Sequence, residues 1–203
     1  LTSDEFAELM ERHGMVLGAG VSDGGLLVDV DVSQRHLATA AGLLTQALAA
    51  NAERYDRSGQ FPADNFDLLQ RHGLLGFTVP RHLGGGGADL SSARQVVAAV
   101  GKGCPSTALI LVMQYLQHFR LQDEDRWPEH LRLQVARDAV ADGALINAFR
   151  VEPELGTPAR GGLPATLARR TAEGWRLSGR KIYSTGSHGL SWYLVWARSD
   201  DQD

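Results

Sequence analysis

The chain has 203 residues, 43% of them hydrophobic and 22% charged, which is apolar material enough for a folded core and excludes wholesale disorder. A formal net charge of −4, with no Lys/Arg cluster interleaved with aromatics, argues against nucleic acid as a partner. The single cysteine, Cys104, excludes an internal disulfide and a paired-cysteine zinc site, so a reducing, cytoplasmic setting is the expected localisation.

From the N-terminus, Thr2 and Glu5 fit a capping box for a short helix over Asp4 to Arg12. No basic or hydrophobic leader pattern is present there, so no secretory signal is expected. Gly18, Gly20, Gly24 and Gly25 read as a flexible connector before Val28 to Val32, and their spacing is not that of a dinucleotide fingerprint. Residues 1–32 thus read as a terminal extension.

Ser33 is a good N-cap, and Leu37, Ala41, Leu44, Leu48, Ala52 and Tyr55 follow it at steps of three and four, the stripe of an amphipathic helix. Pro62 opens a second helix with Phe66 and Leu69 on one face, and Gly73 stands where a left-handed C-cap is expected. The loop Gly84 to Gly87 lacks the Lys-Ser/Thr of a phosphate-binding loop, so a structural turn is the better reading. Asp89 caps a third helix, with Leu90, Ala93, Val97 and Val100 on one side and Gly101 at its end. Pro105 and Ser106 open a helix from Thr107 to Arg120 that is apolar nearly all round at first, which predicts a buried central position. Its apolar core, Ala108 to Met113, is far shorter than the ~20 residues of a membrane span, so no membrane insertion is expected. After Pro128, Leu131, Val135 and Ala139 align on one more helix, ending at Asp142-Gly143.

At Ala144 the period changes from helical to alternating. Strands are expected over Ala144 to Val151, Leu163 to Thr171, Trp175 to Leu177, Lys181 to Thr185 and Ser191 to Arg198, with an Ala-Glu-Gly hairpin turn between the second and third. Together they predict an antiparallel sheet, part of a barrel, whose open edge reads as a domain cut short. The fold class is therefore α+β: a helical bundle over 33–143 and a partial β domain over 144–203.

The helical prelude, the VP-x-x-x-GG-x-G loop at Val79 to Gly87, the EP-x-x-GT segment at Glu152 to Thr157 and the G-x-K-x-Y-S-T run at Gly179 to Thr185 resemble the acyl-CoA dehydrogenase family of flavoproteins. The likeness covers residues 33 to 203. It implies FAD, with FMN as the alternative, and α,β-dehydrogenation of an acyl thioester. It implies also a carboxylate base from a C-terminal helical domain that these residues do not contain, so no catalytic residue is assigned here. A flavin that accepts hydride gains negative charge on its ring edge, and preorganised backbone donors meet that need. By similarity, Ala148, Arg150 and Val151 would line the ring through their backbones, Gly156 would permit close approach, and the Thr157 hydroxyl would bond the pyrophosphate. Tyr183 would lie against the ring, Ser184 would offer backbone contacts, and Thr185 would reach its N5 by hydroxyl or N–H. The resemblance further implies an acyl-CoA or other small-molecule substrate, a homo-oligomer and an electron-transfer partner.

The chain departs from the family pattern at Val151, where Thr is usual, at Pro158, where a backbone N–H is lost, and at Tyr183, where Trp is common. Two other readings stay open: a flavin-dependent monooxygenase on the same scaffold, which the Tyr183 to Gly186 run also resembles, and a non-catalytic subunit. Residue by residue, Tyr183 and Trp192 read equally as half-buried sheet aromatics, Lys181 as a solvated or pairing residue, and Cys104 as a small buried apolar group. His188 has no partner at a suggestive spacing, and the histidines lack the i, i+4 pairing of a metal site, so no metal is expected.

Overall fold

A computed structural model of the chain describes residues 17–22, 25–30, 34–122, 127–155 and 161–200. It divides into two compact units, Leu1–Ala144 and Leu145–Asp203. The expected Asp4 to Arg12 helix and the Ser33 cap lie outside the described residues. In the first unit, β1 (Leu17–Ser22) and β2 (Gly25–Val30) pair antiparallel, in register from Leu17↔Val30 to Ser22↔Gly25. This corrects the reading of a flexible connector. The Asp-Gly dipeptide at positions 23–24 is a strong hairpin signal, and the glycine count masked it.

Five helices follow among the described residues: α1 (Gln34–Ser58), α2 (Ala63–Arg71), α3 (Leu90–Gly103), α4 (Pro105–Leu121) and α5 (Glu129–Ala141). The apolar stripe of α1 buries Leu44, Leu48 and Tyr55, and α2 buries Phe66 and Leu69. The side chains of Leu37 and Ala41 are outside the described set. In α3 the Asp89 carboxylate accepts from the Ser92 N–H at 2.8 Å, the expected cap, but the buried face is Ala93, Val96 and Val100, and Leu90 points to solvent. The helix runs past Gly101 to Gly103 and stops at Cys104, the residue before Pro105, where proline disfavours helical backbone. Gly103 permits a close crossing, since a Cβ there would lie 2.4 Å from the Thr45 carbonyl oxygen of α1. Helix α4 is central as expected, with Ile110, Leu111, Tyr115 and Leu121 buried along it.

The glycine loop is a structural turn. The N–H groups of Gly84, Gly85, Gly86, Gly87 and Ala88 donate to the carbonyls of Arg81, Pro80, Gly76, Val79 and Phe77, so the loop folds back on the segment before it and leaves no amides for a phosphate. A Cβ at Gly85 would meet the Val79 carbonyl at 2.3 Å.

The second unit contains β3 (Leu145–Phe149), β4 (Leu167–Thr171), β5 (Gly174–Ser178), β6 (Leu190–Val195) and β7 (Arg198–Ser199). β4 and β5 form the expected antiparallel hairpin. The other two pairings differ from the expectation: β3 pairs parallel with β6, and β4 pairs parallel with β7. The segment from 150 to 189 lies between β3 and β6, long enough for the crossover that parallel neighbours require. The strand expected over Lys181 to Thr185 is also absent, because Tyr183 has φ of +55°, which breaks extended backbone. Among the described residues, no helix is long and apolar enough to cross a membrane.

Candidate functional site

In the second unit, the site residues read from the sequence fall on β3 with the residues after it, and on the irregular segment Lys181–Gly186. Leu145 and Ile146 are buried, which fixes β3 in place, and the next side chain inward is a polar one, Asn147. Its amide Nδ2 donates to the Thr185 carbonyl at 3.0 Å, and its Oδ1 accepts from the Ala148 N–H at 2.7 Å. Two residues beyond the end of β3, the Val151 carbonyl accepts from the Ile182 N–H at 3.0 Å. These bonds bring the Ala148–Val151 and Tyr183–Thr185 segments side by side. Gly156 and Thr157 lie outside the described residues.

Within the second segment, Tyr183 is 84% exposed and sits in the left-handed region of backbone space, uncommon for any residue but glycine. It is therefore not a half-buried sheet aromatic, whereas Trp192 is half-buried in β6. The Thr185 N–H donates to the Tyr183 carbonyl at 3.0 Å, closing a tight turn over Ser184. That leaves the Thr185 hydroxyl, which makes no hydrogen bond among the described residues, as the group it can offer to a ligand. Arg150 is exposed and Val151 half-buried.

The same two stretches of chain are joined by a buried ion pair. Glu152 is 2% exposed, and Lys181 Nζ donates to its Oε1 at 2.7 Å. The same carboxylate accepts from the N–H groups of Ala165 and Thr166 at 2.7 and 3.0 Å and from the Thr166 hydroxyl at 2.6 Å. Lys181 also donates to the Trp196 carbonyl, and its ammonium lies 5.7 Å from the centre of that indole ring. The Lys181 ammonium first, and then the Thr166 hydroxyl, hold the Glu152 carboxyl down at about 2. Lys181 is thus a pairing residue and not a free amine.

The sequence reading passed over Asn147 and Glu152 as side chains. A lone amide in the apolar run LINAF was one signal, and a Glu and a Lys of opposite charge in the two resembling motifs were another. In the first unit, Cys104 is buried and its sulfur accepts from the Thr107 hydroxyl at 3.2 Å, the small buried group expected. His188 is exposed, and among the described residues no group of three or more His, Cys, Asp or Glu is placed to hold a metal.

Residues 33–119 match the family model for the acyl-CoA dehydrogenase N-terminal domain. A putative acyl-CoA dehydrogenase of Bacillus subtilis, YdbM, is 30% identical over 169 residues, which cover 83% of this chain and 44% of that protein. The solved structure of KijD3 in complex with FMN and a dTDP-linked amino-keto sugar is 31% identical, covers 85% of this chain and 42% of its own, and matches with a TM-score of 0.68. Glutaryl-CoA dehydrogenase from Mycobacterium smegmatis shares the fold at a TM-score of 0.69 and 20% identity, over 84% of this chain and 44% of its own. The chain thus spans less than half the length of the relatives it matches. The helical unit, the β segment after it and these likenesses agree that the chain belongs to the acyl-CoA dehydrogenase family, of which it carries the N-terminal helical domain and part of the β domain that follows.

Proposed function

We propose that this chain supplies part of the flavin site of an oxidoreductase, with FAD as the first candidate and FMN as the second. What carries the reading is the meeting of the two motif segments through the Ile182–Val151 and Asn147–Thr185 hydrogen bonds. Together they offer an exposed aromatic ring at Tyr183 and, at Thr185, a hydroxyl that makes no hydrogen bond among the described residues. A flat heteroaromatic ring fits such a surface, since stacking satisfies its face and hydrogen bonds satisfy its edge. Ala148, Arg150 and Val151 border that surface from the neighbouring segment, and Gly156 and Thr157 remain proposed pyrophosphate contacts from the resemblance alone.

When bound, a flavin supplies the hydride acceptor for α,β-dehydrogenation of an acyl thioester. The chain's own residues orient and bind: Tyr183 presents its ring, Thr185 its hydroxyl, and the buried Glu152–Lys181 pair keeps both segments in place. The base for the α-proton is assigned to no residue here, because the family resemblance implies that it comes from a C-terminal helical domain. The substrate, an acyl-CoA, and a homo-oligomeric state with an electron-transfer partner belong to the same proposal.

A second reading, a flavin-dependent monooxygenase, is favoured by one finding: the 31%-identical KijD3 structure holds FMN beside a ligand that is not a thioester. Absorbance of the purified full-length protein, with identification of the released cofactor, tests the flavin site, and a colourless protein that takes up neither FAD nor FMN would refute it in favour of a non-catalytic subunit. Bleaching of the flavin by acyl-CoA without oxygen uptake supports the dehydrogenase. Oxygen uptake with reduced FMN and no such bleaching supports the monooxygenase.

A further inference from the structure

Tyr183 is the one non-glycine residue with positive φ among the described residues, and it is also 84% exposed, so its own side chain buries little that could hold it there. An L-residue in the left-handed region persists where its neighbours fix the backbone on both sides. Here both sides are fixed, and by side chains of the same opposing segment. Two residues before Tyr183, Lys181 is anchored by Glu152; two residues after it, the Thr185 carbonyl is anchored by Asn147. Between them the Ile182 N–H donates to Val151, which precedes Glu152 in the chain.

All three anchoring side chains are well buried. Asn147 is 4% and Glu152 2% exposed, and the Lys181 side chain is 8% exposed. The anchors also reach outward, since Glu152 takes three hydrogen bonds from Ala165 and Thr166, just before β4, and Lys181 holds the Trp196 carbonyl after β6. An apolar contact would tolerate sliding of the segment, whereas these bonds fix direction as well as distance.

We infer that Glu152–Lys181 and Asn147–Thr185 form a two-point clamp that holds Tyr183 in its left-handed conformation, making Asn147, Glu152 and Lys181 positioning residues for the surface proposed to bind flavin. None of the three need touch the ligand. The inference rests on the flavin reading for its functional consequence, and on the hydrogen bonds alone for the clamp.

The test uses the full-length protein and four variants: K181M, K181R, N147A and the double variant E152Q/K181M. Two quantities are measured, the apparent Kd for FAD and for FMN by fluorescence titration, and hydrogen exchange at the Ile182 amide, with circular dichroism and thermal midpoint as controls for folding. K181M is expected to weaken flavin binding at least tenfold and to speed Ile182 exchange at least tenfold, while amides of helix α4 keep wild-type protection. N147A is expected to weaken binding about threefold to tenfold, and K181R, which keeps the charge and the donor, to stay within threefold of wild type on both readouts.

Wild-type flavin affinity and wild-type Ile182 exchange in a folded K181M would overturn the inference, as would K181R being as damaging as K181M. Should K181M fail to fold, E152Q/K181M, which leaves no uncompensated charge inside, is judged by the same thresholds. A wild-type protein that takes up neither FAD nor FMN defeats the flavin reading; the clamp is then decided by Ile182 exchange alone.

Discussion

The two units of this chain exclude water by different means. The helical unit does so with aliphatic side chains from five helices, among them Leu44, Leu48, Leu69, Val100 and Leu111, and sets its buried polar groups between them, as where Asn65 Nδ2 donates to Thr107 Oγ1 at 2.9 Å. In the β unit, Leu145, Ile146 and Leu190 are the buried aliphatics among the described residues, and Asn147, Glu152 and Thr166 are buried beside them. Apolar burial is strong but has no direction. A hydrogen-bonded ion pair contributes less net stability and far more orientation, because leaving any member unpaired is costly. The unit that carries the candidate site is the one organised by directional bonds.

That contrast is sharpened first by core truncation. L48A in the fully buried middle of α1 should cost about 3 kcal/mol in chemical denaturation, the usual range for a Leu-to-Ala cavity, with the β-unit clamp untouched. An L48A variant that also speeds exchange at Ile182 would break the comparison. G85A comes next, at about 2 kcal/mol, since its Cβ would overlap the Val79 carbonyl and force the loop to shift.

The units should also respond to acid in different windows. Burial pushes His118 down to about 4 from its ordinary 6.5, so the folded state binds fewer protons than the unfolded chain between those values. Its contribution is complete above pH 6.5 and is lost as pH falls towards 4, with a slope of at most about 1.4 kcal/mol per pH unit. Glu152 has its pKa lowered from 4.5 to about 2, so its contribution is complete above pH 4.5 and is lost below that. Thermal midpoints of wild type, H118Q and E152Q from pH 7 to 2 separate the two: H118Q should flatten the upper window and E152Q the lower. Equal slopes for H118Q and wild type between pH 6.5 and 4 would refute the first assignment.

The smallest expected effects lie at single hydroxyls and a single φ. Y115F removes the bond from the Tyr115 hydroxyl to the Leu74 carbonyl, 2.8 Å, and should cost about 1 kcal/mol. Y183G should leave stability unchanged or raise it by up to about 1 kcal/mol, because glycine adopts positive φ without strain, while flavin binding weakens for want of the ring. A marked loss of stability in Y183G would mean that the tyrosine ring is packed and not displayed.

Much of this molecule was legible before its coordinates. The steps of three and four from Leu37 to Tyr55, the Asp89 cap and the prolines at 62, 105 and 128 gave the helices, because helix periodicity and capping are local properties. Local pattern was weaker where glycine and β-type residues mix. It read the Gly18 to Gly25 stretch as a connector, Lys181 to Thr185 as a strand, and the whole sheet as antiparallel, since strand partners are chosen by residues distant in sequence. The candidate site was legible as two segments with a family likeness, and not as a geometry.

The sequence by itself determined which stretches between 34 and 141 are helical, where they begin and end to within a few residues, and which family the motifs resemble, because each of those properties is carried within a few neighbouring residues. Only the tertiary structure decided that Glu152 and Lys181 meet out of water, that Asn147 reaches Thr185, and that Tyr183 is held against its backbone preference. Those facts depend on which segments are brought together, and a buried charge finds its partner across the fold.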